Sequence, residues 1–257
     1  MRERSVGLGA MGLHSYLQQK RVPLESAMAK SLNMRIFKHI KVLADKASRE
    51  MAVELGPCPD AADFGVMERF SNKLAIAPTA SISIICGGTS PGIEPFAANS
   101  YVHKTLSGSF NVRNKHLTKL LQEKGRDDDK IWSSIVANEG SVQHLDCLTQ
   151  NEKDVFKTAF EIDQRWLIEL AADRVPFICQ SQSLNLFLPA DIHKRDLHGI
   201  HFSAWKKGIK SLYYCRSKSL QRADTIASLG IGAPVTAQKK SQTLNALVDY
   251  DECLACQ

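Results

Sequence analysis

Apolar and polar positions alternate at helical spacing over the first part of the chain. From Arg4 to about Leu55 the pattern is helical: Leu13, Tyr16 and Leu17 fall at i, i+3 and i+4, and an Ala-, Lys-, Leu- and Met-rich stretch from Leu24 to Leu55 keeps a long amphipathic period. Gly56-Pro57 ends it. The apolar run Leu74-Ala-Ile-Ala77 reads as a short buried strand, followed by Pro78 and a hydroxyl-rich stretch that stops at Gly87-Gly88. Ile82, Ile84 and Ile85 fit either a helix or a continued strand. Helices are expected over Asn114 to Gly125, Glu152 to Asp173 and His201 to Ile209, separated by the acidic turn Arg126-Asp-Asp-Asp129 and by Arg174-Val-Pro176. Ser183 to Leu188 alternates as a strand does, and Ile209 to Cys215 reads as another.

Beyond Arg222 the composition shifts to Ala, Gly, Ser, Thr, Gln and Lys, with few large apolar residues. We read residues 221–257 as a flexible tail and residues 1–220 as the folded body. No repeat of 20 to 50 residues is visible, so helices interleaved with short buried strands imply an α/β domain.

The chain has 257 residues, 44% of them hydrophobic, enough for a real core; disorder, collagen-like repeats and disulfide miniprotein scaffolds are excluded. Its 33 basic against 27 acidic residues leave a net charge of +6, spread along the sequence and densest at Lys206-Lys207 and Lys239-Lys240. That balance does not argue for a nucleic-acid polymer as partner. The opening Met1-Arg2-Glu3-Arg4 lacks the apolar stretch of a signal peptide. The longest apolar run, Leu74 to Cys86, is interrupted by Pro78, Thr79, Ser81 and Ser83. We therefore expect no membrane span and a cytoplasmic location.

Four features invite a chemical reading. Gly7-Leu-Gly9-Ala-Met-Gly12 satisfies the GxGxxG pattern ahead of a helix, with Glu25 as a nominal ribose acid, but Met1 to Val6 do not make the buried strand that a dinucleotide fold requires. Close backbone packing is the simpler use of these glycines. Ala77-Pro78-Thr79-Ala80-Ser81-Ile82-Ser83 follows a strand; if a helix starts near residue 80, Pro78 fixes the entry and hydroxyls and free N–H groups face any anion there. A capped helix start holding nothing is the competing account. Tyr213-Tyr214 are adjacent, and in an ordinary strand one ring would enter the core and the other face solvent.

The fourth feature is Cys253-Leu-Ala-Cys256, at the very end of the chain. The other five of the seven cysteines, Cys58, Cys86, Cys147, Cys179 and Cys215, are scattered singly and are expected to be buried reduced thiols. A structural zinc site needs more ligands than the tail offers, since Cys253 and Cys256 are its only cysteines and it has no histidine. Dithiol exchange remains, in which the pair attacks a disulfide elsewhere and is itself oxidised to a ring. A tether of about 35 residues reaches on the order of 30 Å, enough to visit a buried site and return to a reductant.

In this order the motifs resemble the carboxy-terminal part of the large, catalytic subunit of class I ribonucleotide reductase. The resemblance rests on Arg4-Ser-Val-Gly-Leu-Gly9, Ala77-Pro-Thr-Ala-Ser81, Ser90-Pro-Gly-Ile-Glu-Pro95, Leu106-Ser-Gly-Ser-Phe110, Ser181-Gln-Ser-Leu-Asn-Leu-Phe187, Tyr213-Tyr-Cys-Arg-Ser217 and the terminal cysteine pair. It implies the second half of a ten-stranded α/β barrel with a flexible carboxy-terminal tail. Pro78, Thr79, Ala80, Ser81 and Ile82 then correspond to the loop holding the diphosphate of a ribonucleotide. Tyr213 and Tyr214 correspond to a stacked relay carrying an electron hole from the small subunit, and Cys253 and Cys256 to the shuttle that re-reduces the active-site disulfide and is itself reduced by thioredoxin or glutaredoxin.

The resemblance also implies residues that precede the matched region: the thiyl-radical cysteine, its flanking asparagine and glutamate, and two further cysteines. None of Cys58, Cys86, Cys147 or Cys179 is assigned to those roles. No cofactor is expected on this chain; the radical metallocofactor belongs to the small subunit, and the ATP and deoxynucleotide effector sites lie on segments outside the match. The expectation is thus a reductase piece needing an amino-terminal partner piece, a small subunit and a ribonucleoside diphosphate. A non-catalytic remnant that binds the small subunit is the alternative, and an independent thiol oxidoreductase the third reading.

Overall fold

The computed structural model describes residues 2–105 and 108–217. Helix α1 covers Leu13–Gln19 and α2 covers Ala27–Leu55, where the pattern suggested one helical stretch from Arg4. Pro23 lies between them, and a proline cannot donate the hydrogen bond a helix interior needs. Ser26 then restarts the helix, its hydroxyl accepting from the Ala29 N–H at 3.1 Å. Next come α3 (Pro59–Asp63) and α4 (Ala80–Ile85), so the isoleucines after Pro78 are helical.

Strands β1 (Ser100–Thr105) and β2 (Gly108–Arg113) pair antiparallel, Ser100 opposite Arg113. The hydrophobic pattern gives no sign of this hairpin. Helices α5 (Lys115–Glu123), α6 (Asp129–Ala137) and α7 (Gln150–Val155) follow. The expected helix over Glu152 to Asp173 is two: α7, started by a reciprocal Thr149–Glu152 capping box, and α8 (Gln164–Arg174), started by Asp163. Between them the Ala159 N–H leaves the helical path to donate to the Phe96 carbonyl at 2.7 Å. Then come β3 (Leu186–Leu188), α9 (Lys194–Lys206, in place of the expected 201–209) and β4 (Cys215–Ser217). The strand expected over 209–215 thus begins only where it was expected to end.

Four extended segments run parallel in chain order. Leu8 bridges Leu74, Ile76 bridges Gln182, and β3 pairs with β4, Leu186 opposite Cys215. Each connection carries helix, the right-sized crossover for parallel neighbours. The segment up to Leu8 was expected to be helical; it is extended because Val6 and Leu8 donate to the carbonyls of Asn72 and Lys73 at 3.0 and 2.8 Å. No local pattern reveals a partner so distant in sequence.

The main core gathers Leu13 and Leu17 of α1, Phe37 of α2, Leu74 and Ile76, Ile93, Leu167 and Leu170 of α8, and Leu184. Each such burial contributes roughly 1.5–3 kcal/mol against exposure. A second cluster, with Leu117, Leu121, Trp132, Ile135 and Val142, is confined to α5–α7 and their loops. Ile168, on an adjoining face of α8, joins a third cluster with Leu186, Leu188 and Ala204, seating α9 on β3.

Polar residues join these layers. Arg174, fully buried, donates to Gln182 Oε1 (2.9 Å) and Asn33 Oδ1 (2.8 Å), with its guanidinium 5.4 Å from the centre of the Phe37 ring. Lys73 lies 3.0 Å from both Asp45 and Glu68, pinning α2 to the second extended segment. Burial alone would raise the Asp45 and Glu68 carboxyls, but hydrogen bonds, including those from Lys73, hold both below the usual range. Between the two larger clusters sits buried His14, whose Nδ1 accepts from the Phe96 N–H at 3.0 Å.

Among the described residues no helix is long and apolar enough to cross a membrane. Of the five single cysteines, Cys58 is a buried thiol as expected, but Cys147 is half-buried, and Cys86, Cys179 and Cys215 are exposed. Cys179 sits beside the second segment, where its sulfur accepts from the N–H groups of Lys73 and Leu74 at 3.1 Å, a polar edge position and not a core one.

Candidate functional site

The glycine-rich stretch is spent on packing. A Cβ on Gly9 would lie 2.5 Å from the Ala75 carbonyl oxygen, and one on Gly12, at φ 84°, would lie 2.5 Å from the Thr89 hydroxyl. Glu25 is likewise occupied, accepting from Lys157 Nζ at 2.5 Å and from the Asp163 N–H at 2.7 Å. Neither group is presented to a dinucleotide.

The Pro78 to Ile82 loop turns sharply into α4. Thr79 has φ 51° and ψ 32°, a left-handed conformation that costs a β-branched residue on the order of 1–3 kcal/mol. Its side chain does not cap the helix. Instead Thr79 Oγ1 accepts from the Gly92 N–H at 2.8 Å, which leaves the hydroxyl proton to be donated elsewhere. A self-capped helix start is therefore not what the chain adopts. Ser83 is buried and closes on the Ala80 carbonyl at 2.8 Å, while Ser81 and Ile82 face outward. The first turn of any helix leaves N–H groups without intrahelical partners, so this outward-facing turn can receive an oxyanion.

Tyr213 and Tyr214 lie in an irregular stretch just before β4, not inside a strand. Their side chains consequently do not take opposite faces: the ring centres are 4.0 Å apart with planes inclined at 45°. Tyr213 is 39% and Tyr214 46% exposed. Their backbones are held, with Tyr213 N–H donating to the Leu184 carbonyl and the Tyr214 carbonyl accepting from Leu186, both at 2.9 Å. Tyr213 also lines a cavity of about 360 Å³, together with Ile76, Ser181, Ser183 and Ser211.

Two residues quoted only as parts of motifs prove central to this region. Glu94, buried and flanked by Ile93 and Pro95, accepts from both the backbone and the side chain of Asn185, at 2.9 and 3.1 Å. Burial pushes the Glu94 carboxyl up, opposed by the two Asn185 donors and by the charge of Arg216. An acidic residue inside an apolar, proline-flanked stretch was the available signal. The terminal pair Cys253 and Cys256, and the tail from residue 221, lie outside the described residues.

The profile of "Ribonucleotide reductase, barrel domain" matches over residues 1–65 and 60–215. The chain belongs to this family. It is 48% identical over 231 residues to the ribonucleoside-diphosphate reductase large subunit of Invertebrate iridescent virus 6, covering 88% of this chain and 24% of that protein. It is 46% identical over 215 residues to a putative large subunit of Frog virus 3, covering 84% and 38%. The structure aligns with the Actinobacillus ureae class Id ribonucleotide reductase alpha subunit at a TM-score of 0.79 and 40% identity, over 89% of this chain and 41% of that one. Barrel-family membership accounts for the parallel segments joined by helical crossovers. The chain spans between about a quarter and two-fifths of the length of these relatives.

Proposed function

We propose that this chain supplies the carboxy-terminal barrel portion of a ribonucleoside-diphosphate reductase large subunit, residues 1–220, followed by a redox tail, residues 221–257. In the overall reaction a ribonucleoside diphosphate loses its 2′ hydroxyl as water. Two thiols on the remaining part of the subunit give up two electrons and become a disulfide. The chain's own residues hold the substrate, pass the oxidising equivalent and restore the thiols.

The observation that carries this reading is the 4.0 Å contact of the Tyr213 and Tyr214 rings, made where a regular strand would have separated them. Two phenols in such close contact provide a short path for an electron hole, each giving up its proton as it is oxidised. The Pro78, Thr79, Ala80, Ser81 and Ile82 loop binds the diphosphate through N–H and hydroxyl donors. Thr79 is held for this by Gly92. Cys253 and Cys256 exchange with the active-site disulfide: their thiols are oxidised as it is reduced, and thioredoxin or glutaredoxin reduces them in turn. The reading assigns the radical metallocofactor to the small subunit and effector nucleotides to the other part of the large subunit.

Reconstitution tests it. The chain is mixed with the amino-terminal part of a homologous large subunit, a small subunit, effector and dithiol, and deoxynucleotide formation is measured. Turnover is expected, abolished by Tyr213→Phe, Tyr214→Phe or Cys256→Ser. No product, under conditions where an intact homologue turns over, overturns the reading.

A further inference from the structure

Two motifs, Ser90 to Pro95 and Ser181 to Phe187, have no role in the function just described, and the structure joins them behind the tyrosines. Glu94 is 4% exposed and Asn185 is 2% exposed. The Asn185 N–H donates to Glu94 Oε1 at 2.9 Å, and its Nδ2 donates to Oε2 at 3.1 Å. The remaining polar atom of that side chain, Oδ1, accepts from the Tyr214 N–H at 3.0 Å. One carboxylate thereby accepts from both the backbone N–H and the side-chain amide of Asn185 and decides which way that amide faces. With the amide reversed, an NH₂ group would confront the Tyr214 N–H, donor against donor.

The segment bearing Glu94 is itself anchored beside the Thr79 loop. Ser90 and Ser15 exchange hydrogen bonds at 2.8 and 3.1 Å, and the Gly92 N–H donates to Thr79 Oγ1 at 2.8 Å. A Cβ on Gly92, at φ 45°, would come within 2.9 Å of the Ala77 carbonyl oxygen, so this approach needs a glycine.

We propose that Glu94 is a positioning residue for the tyrosine pair: through Asn185 it fixes the backbone of Tyr214, and with it the ring contact to Tyr213, while its own segment keeps that pair in register with the Thr79 loop. As a statement about radical transfer this rests on the relay reading. As a statement about ring geometry it does not.

The test uses the full 257-residue chain with isotope-labelled tyrosine rings observed by NMR. In the unaltered chain, Tyr213→Phe should displace the Tyr214 ring resonances, because each ring lies in the other's field. In Glu94→Ala and Asn185→Ala backgrounds that response is expected to vanish, while Tyr16 and Tyr101 resonances stay in place. Glu94→Gln keeps the volume and one acceptor, and is expected to give a reduced response. Ile135→Val, in the separate α5–α7 cluster, is the control for general destabilisation and should leave the response intact.

A response in the Glu94 and Asn185 variants as large as in the parent overturns the proposal. If the alanine variants do not fold, Glu94→Gln decides by the same criterion. The reconstitution assay is scored separately. Failed turnover with a diminished Glu94→Gln ring response removes the relay and leaves the clamp; working turnover with an undiminished response does the reverse.

Discussion

Lowering the pH forces a proton onto His14 at a place that has no room for it. The ring is fully buried, and its Nδ1 faces the Phe96 N–H, so that nitrogen must be unprotonated in the folded chain. Burial first, and then the charge of His116, lower the His14 pKa from 6.5 to about 3. A folded value below the unfolded one means that its contribution is full above pH 6.5 and is lost as pH falls toward 3. Each tenfold drop in proton affinity corresponds to ~1.4 kcal/mol, so about 2–3 kcal/mol disappears between neutrality and pH 4.5, and on the order of 5 kcal/mol by pH 3. Against a typical net stability of roughly 5–15 kcal/mol this is a large fraction.

Urea unfolding at half-unit steps from pH 7.5 to 4.5 measures the effect, with His14→Gln as the comparison. The glutamine carbonyl can still accept from Phe96 but takes no proton. Its curve should be nearly flat where the parent's falls with the slope of about one proton. His116, lowered by burial and then by Lys115 and Lys119, acts in the same direction, so His116→Gln is placed in both backgrounds. Equal slopes with and without His14 would refute the reasoning. The range matters, because Asp45, Glu68 and Asp163 are held below their ordinary values and add their own loss only at lower pH.

Other outcomes follow from the same contacts. Arg174→Ala leaves the acceptors of Asn33 and Gln182 buried without donors and opens a cavity over Phe37, so a loss of about 3–5 kcal/mol is expected in urea unfolding. Gly9→Ala drives a methyl group into the Ala75 carbonyl, and a loss of about 1–3 kcal/mol should appear as a lower melting temperature. On the proposed reading of the Pro78 to Ile82 loop, Thr79→Val, which removes the acceptor for the Gly92 N–H and the Thr79 hydroxyl proton, should weaken diphosphate binding in calorimetry. Ile85→Asp replaces an apolar residue that is 84% exposed, and is expected to change stability in urea unfolding by under about 0.5 kcal/mol.

Helix α5 and the long α2 were legible because their apolar faces repeat every turn, a signal carried by neighbouring residues. The extended course of Leu74 to Ile76, which forms isolated bridges and not a full strand, and the turn at Pro78 were legible for a similar local reason. The motif order was enough to point to the ribonucleotide reductase family, to which the chain belongs. Other features depend on partners far along the chain. Val6 to Leu8 becomes extended because residues 72–75 offer a parallel edge, and the break between α7 and α8 is held by the Phe96 carbonyl. The exposure of Cys86, Cys179 and Cys215 departs from expectation for the same reason, since burial is set by what packs against a residue and not by its type alone.

The sequence by itself determined the α/β class, the helix-forming faces, the family and the identity of the candidate groups. Only the tertiary structure decided that Tyr213 and Tyr214 meet, and that a carboxylate at position 94 governs an amide at 185. Periodicity records which side of one element is apolar; it holds no record of the hydrogen bonds that two distant motifs make once buried, and those bonds set the geometry of the site.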